Sequence, residues 1–229
     1  MEEFQYNEVN SVSDMEVRGA LSKTFLWMFL GVLATAITAV YTYSAGIAET
    51  MAVDGTFAII CIAQIAIALI MGFLLRKLSA TMITILFFAY SMLTGVTLST
   101  IFYVFEISSI TIALFGSAAL FGGLAILGYN SNRDVTSLGS MLTIGLVIGL
   151  ILSLINLFLG NPLLDIALDW AILAIFLGFT YYDMNNIKMF LSSGMVDTEK
   201  VSVYGAFQLY LDFINIFLRI LSIFGERRN

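Results

Sequence analysis

Apolar residues fill the chain in seven long runs, at about 23–45, 55–75, 81–104, 109–128, 138–160, 163–187 and 202–224, with short polar interruptions between them. A bilayer core takes about 20 apolar residues per helical span, so the runs predict seven transmembrane helices. The segment 1–22 carries Glu2, Glu3, Glu8, Asp14 and Glu16 without a basic start or a small-residue cleavage pattern. It therefore reads as an acidic cytosolic segment rather than a signal peptide. Residues 23–224 form the membrane domain and 225–229 a short tail.

The interruptions alternate in charge. Arg76 and Lys77 follow the second run, Arg133 and Asp134 the fourth, and Lys188 and Lys200 the sixth, whereas Glu49 and Asp54, Glu106, and Asp165 and Asp169 mark the other connections, which carry no basic residue. The positive-inside rule then places the amino terminus in the cytosol. Seven spans carry Arg227 and Arg228 to the far side, against the same rule. The five extracytosolic carboxylates have no basic neighbours in their loops and predict an anionic mouth that concentrates cations.

Composition agrees with this architecture. The chain has 229 residues, 60% hydrophobic and 11% charged, against a charged share of about 25% in soluble domains. A net charge of −6 leaves no basic surface for nucleic acid. Cys61 is the single cysteine, which excludes an intrachain disulfide. No histidine is present, so a proton switch near neutral pH has to be built from carboxylates. Small residues such as Gly145 and Gly149, or the pair Gly122 and Gly123, predict close helix packing.

Ionisable residues inside apolar runs are costly and therefore informative. Asp212 lies deep in the last run. At about 100° per residue, Tyr204, Gln208, Asp212, Asn215, Arg219 and Ser222 share an arc of about 80°, and at about 1.5 Å per residue this stripe runs about 27 Å. Such a helix cannot face lipid, which predicts a central last helix ringed by the other six. Asp212 and Arg219 are two turns apart, too far for easy pairing, so a partner for Asp212 is expected from another helix. Asp183, near the cytosolic end of the sixth run, is the candidate. Two carboxylates in contact and out of bulk water cannot both ionise cheaply, so the pair is expected to share a proton. Gln64 in the second run and Asn156 in the fifth are single amides suited to bonding between helices. Arg76, at the cytosolic end of the second run, reads first as an ordinary topology-setting charge, and it could also reach inward toward the carboxylates.

Around Tyr182-Asp183-Met184-Asn185-Asn186-Ile187-Lys188 and Leu209-Tyr210-Leu211-Asp212-Phe213-Ile214-Asn215-Ile216-Phe217, the sequence resembles the Bax-inhibitor family, also called the transmembrane Bax inhibitor motif proteins. The likeness covers nearly the whole chain. It implies seven spans with a central last helix and a pH-sensitive calcium leak, controlled by an aspartate pair that matches Asp183 and Asp212. It further implies that Arg76 ties to this pair in the closed state. Gln64 stands where some relatives carry a glutamate.

These readings predict a passive leak that carries calcium, without a resident cofactor. Calcium takes 6–8 oxygens. Asp183 and Asp212, helped by Gln208, Asn215 and Tyr204, would give it only a weak, transient site, with Arg219 and Gln64 bordering the path. A proton-sharing pair of aspartates also suits an intramembrane aspartyl protease, but that class has Gly-x-Gly-Asp at its second aspartate and this chain has Tyr210-Leu211-Asp212. A third reading is a modulator that docks a membrane protease or an apoptosis regulator through the acidic amino-terminal segment. The compact loops favour a bacterial cytoplasmic membrane over the endoplasmic reticulum.

Overall fold

In a computed structural model, residues 13–75, 77–194 and 197–228 are described. Glu2, Glu3, Glu8 and Arg76 lie outside the described residues. The architecture is all-α. Its helices are α1 (Asp14–Ser44), α2 (Ile47–Asp54), α3 (Thr56–Leu74), α4 (Ala80–Leu98), α5 (Ile101–Val104), α6 (Ile107–Asn130), α7 (Thr136–Leu159), α8 (Pro162–Ser192) and α9 (Thr198–Phe224). Among the described residues seven spans are long and apolar enough to cross a membrane, with α4 and α5 forming one continuous stretch.

Local chemistry sets the ends of these helices. Ser13 and Glu16 form a capping box, so α1 starts at Asp14, ahead of the apolar run and inside the segment read as a separate acidic one. Two orphan backbone donors are satisfied there by side chains. Asn161 caps α8 with Pro162 in its first turn, and Asp197 accepts from the backbone N–H groups of Glu199 and Lys200 at the start of α9. The short helix α2 lies between Gly46 and Gly55, at φ 69° and 78°, a left-handed backbone that glycine adopts without a Cβ penalty.

The last helix is the most buried. Of its most apolar stretch 56% is buried, against 28% or less in every other span. Its main neighbours are α8, α1, α6 and α4, whereas α3 packs chiefly on α4 and α7 on α8. The expected ring of six is therefore an inner group of four, with α3 and α7 outside it. The reason is the composition of α3 and α7, whose surfaces are almost wholly apolar and lie in lipid at no cost.

Glycine packing is selective. Added Cβ atoms at Gly145 and Gly149 would touch Ile175 and Ile172 of α8 at 3.3 Å, so these two admit α8 closely. At Gly122 and Gly123 an added Cβ would meet nothing within 4 Å. That pair does not mark a close approach, contrary to the expectation from sequence.

The far end of the bundle is less anionic than its loops suggest. Arg219 donates to Asp169 across the α8–α9 contact, and Ser222 donates to the other oxygen of Asp169 at 2.6 Å. Asn156 donates to Asp165. The tail is ordered as well, because Glu106 N–H donates to the Glu226 carbonyl at 3.0 Å and Arg228 N–H to the Val104 carbonyl at 2.9 Å. Loop sequences alone hid these partners, since each is supplied by a helix or tail distant in the chain.

Candidate functional site

The site is built where α8 and α9 run side by side. Asp183 and Asp212 are 6% and 3% exposed, and both line one cavity of about 230 Å³. Gln208, one turn before Asp212, donates to Asp183 Oδ1 at 3.4 Å. The second carboxylate is less well satisfied: Asp212 Oδ2 is buried without a hydrogen-bond partner among the described residues. The wall comes from Phe176 and Phe179 of α8, Phe207 and Leu211 of α9, Ala68 and Gly72 of α3, and Leu146 of α7. Burying two carboxylates in such surroundings is costly unless a proton or a positive charge offsets them.

A second cavity of about 600 Å³ lies toward the end of the bundle that carries Leu75, Asn186 and Lys200. Tyr204 and Gln208 line both cavities. They form the partition between the aspartates and that end of the protein. Among the described residues no group of three or more acidic, cysteine or histidine side chains gathers as a metal cage.

The remaining residues of the polar stripe have separate roles. Asn215 donates to the Leu211 carbonyl of its own helix at 2.8 Å, leaving its side-chain oxygen as an acceptor. Arg219 is engaged by Asp169 and is a fastening between α8 and α9 rather than a partner of Asp212. Gln64 donates to Thr94 at 2.9 Å, which holds α3 on α4. Asn156 accepts from Asn161 N–H at 3.1 Å and donates to the Asn161 carbonyl at 3.0 Å, so it stitches the α7–α8 turn. Near the other end, Lys188 donates to the Tyr129 carbonyl at 2.8 Å, and Asn185 donates to the Ser131 carbonyl at 2.9 Å.

A polar cluster that the sequence reading missed lies between α1, α4 and α9. Thr35 Oγ1 lies 2.7 Å from Tyr210 OH and 2.9 Å from the Ser91 carbonyl, and all three residues are buried. A weak signal was present. Gly31 and Thr35, and Ser91 and Gly95, are small residues four apart, the spacing by which helix backbones approach.

Residues 17–229 match the family described as inhibitor of apoptosis-promoting Bax1. The chain is 38% identical over 216 residues to the inner membrane protein YbhL of Escherichia coli strain K12, covering 91% of this chain and 92% of the relative. It is 35% identical over 225 residues to the uncharacterized protein RP147 of Rickettsia prowazekii, covering 96% and 94%. A Borreliella burgdorferi protein is 35% identical over 217 residues, covering 91% and 92%.

Proposed function

The chain belongs to the Bax inhibitor family, and from that premise we propose that it is a passive calcium leak across a bacterial cytoplasmic membrane, with Asp183 and Asp212 as its ion site and proton switch. The observation that carries this reading is the single cavity inside an apolar bundle that both carboxylates line. Arg76, two residues beyond the end of α3 at Leu74, is the counter-charge that closes the site. A proton shared by the pair, or a bridge to Arg76, holds α9 against α8. Loss of that charge balance releases the latch.

The ligand set favours passage over storage. Calcium prefers 6–8 oxygens, and the cavity offers two carboxylates and the Gln208 amide, with Tyr204 at the partition. The ion therefore keeps part of its water and leaves as readily as it enters. Asn215 extends the polar path beyond Asp212, while Gln64 and Arg219 stay in their interhelical bonds. The cytosol reaches the aspartates past Tyr204 and Gln208.

Calcium flux into proteoliposomes between about pH 5 and about pH 9, a range wide enough for perturbed carboxylates, tests the reading. The intact protein is expected to conduct with a pH dependence that Asp183→Asn and Asp212→Asn each abolish. No flux above empty liposomes at any pH overturns the leak. Flux that keeps its pH dependence in both variants overturns the switch.

A further inference from the structure

One face of α9 is left open by its neighbours. Val201, Tyr204, Gln208, Leu211 and Asn215 are each half-exposed and recur at the spacing of a single helix face. Between Val201 and Phe217 every other residue of the helix is buried, and its neighbours there are α1, α4, α6 and α8. The open face is flanked by α3 and α7, because Ala68 and Gly72 of the one and Leu146 of the other line the same cavity as Gln208 and Leu211. The gap lies between two helices whose outer surfaces are apolar and exposed, a geometry suited to entry from the acyl-chain region of the bilayer.

The floor of the gap has the chemistry of a cation site. Asp212 is 3% exposed, yet its Oδ2 has no hydrogen-bond partner among the described residues. An unsatisfied carboxylate oxygen at membrane depth is costly, so a ligand that brings both a positive charge and a donor recovers that cost. Phe176, Phe179 and Phe207 surround the carboxylates, and ring faces attract cations. No lysine or arginine among the described residues lines this cavity, and Lys200 lines the adjoining one. A hydrated metal ion cannot cross acyl chains to reach the gap. An organic cation with an apolar body can.

We propose that the cleft between α3 and α7 binds a lipophilic amine, whose ammonium donates to Asp212 Oδ2 beside Asp183 and whose apolar body lies among Ala68, Gly72, Leu146 and the phenylalanines. The inference rests on the reading of Asp183 and Asp212 as an ion-binding pair and requires no conduction. It gives the family site a second class of ligand, arriving sideways through lipid.

The test is equilibrium binding to the full-length protein in lipid nanodiscs, corrected for empty nanodiscs, with amantadine as the compact amine and 1-adamantanol as its neutral isostere. The amine is expected to bind at least about tenfold more tightly than the alcohol, a ratio equivalent to about 1.4 kcal/mol. Joint replacement by Asp183→Asn and Asp212→Asn should reduce the amine to the affinity of the alcohol. Gly72→Phe should block both ligands in protein that still melts cooperatively, at a position where a Cβ meets nothing within 4 Å. Equal affinity for amine and alcohol, or amine binding that survives Gly72→Phe, overturns the inference. If the doubly substituted protein fails to fold, those two comparisons decide alone. Amine binding without calcium flux overturns the leak and not the cleft, and flux without amine binding does the reverse.

Discussion

At Gly95, α4 crosses α1 so closely that an added Cβ would lie 2.5 Å from the Thr35 carbonyl oxygen and 2.7 Å from the Thr38 Cβ. Both obstacles are backbone or β-branched carbon, which cannot swing aside. Gly95→Ala should therefore destabilise the bundle by about 1–3 kcal/mol, the usual cost of overpacking, read as a lower melting temperature in detergent. Gly116→Ala is the matched control, because a Cβ there meets nothing within 4 Å, and it should be neutral or slightly stabilising. The same crossing brings Thr35 to Tyr210, whose hydroxyl is 2.7 Å away. Tyr210→Phe removes that bond and keeps the ring that packs on Phe87 and Tyr90. Its cost should be about 0.6 kcal/mol, the average for hydrogen bonds between helices in a membrane. A cost several times larger would mean that Tyr210 organises the whole cluster.

Between α8 and α9, the two ends of the contact are fastened differently: the buried aspartates and Gln208 at one, Arg219 with Asp169 and Ser222 at the other. Asp169 and Arg219 are only 15% and 31% exposed in their side chains, so removing either leaves a charge with little water to compensate it. In a double-mutant cycle, Asp169→Asn and Arg219→Gln should each destabilise, and together by less than their sum. The coupling should fall in the range of about 0.5–3 kcal/mol typical of contacting residues, measured by thermal unfolding. Much of this element-level picture is legible in sequence, because apolar run length marks the spans and the 3.6-residue period exposes the stripe on α9. Pairing between elements is not. Arg219 reads as part of an ion path when only α9 is considered, and its true partner is on α8, whose helical turn brings Asp169 to it. The cleft is hidden for the same reason, since α3 and α7 are as apolar as helices that do close a ring.

Seen as a whole, the bundle is polar along one axis: Arg18, Lys23, Lys77, Arg133 and Lys188 collect at one end, and Glu49, Glu106 and the α7–α8 turn at the other. The tail arginines that break this pattern are at the acidic end with partners of their own. Arg228 donates to Tyr43 OH and the Phe102 carbonyl, each at 3.4 Å, and Arg227 pairs with Phe105 through the backbone. Those contacts, of which the hydrogen bond to Tyr43 does most to raise the affinity of Arg228 for its proton and Glu106 adds less, weaken the tail as a topology signal and leave the loops to decide. The positive-inside rule predicts that the basic end faces the cytosol. In a Cys61→Ala background, Thr50→Cys should react with a membrane-impermeant maleimide in intact spheroplasts, and Ser137→Cys only after permeabilisation. Both positions are exposed, one on α2 and the other in the first turn of α7. The result fixes which compartment speaks to the aspartates, because the cavity shared by Tyr204 and Gln208 opens toward the basic end. On the proposed reading, that end facing inward makes cytosolic pH the signal to which the pair would respond. The reverse labelling pattern would turn the bundle over and make the same carboxylates respond to acid outside the cell.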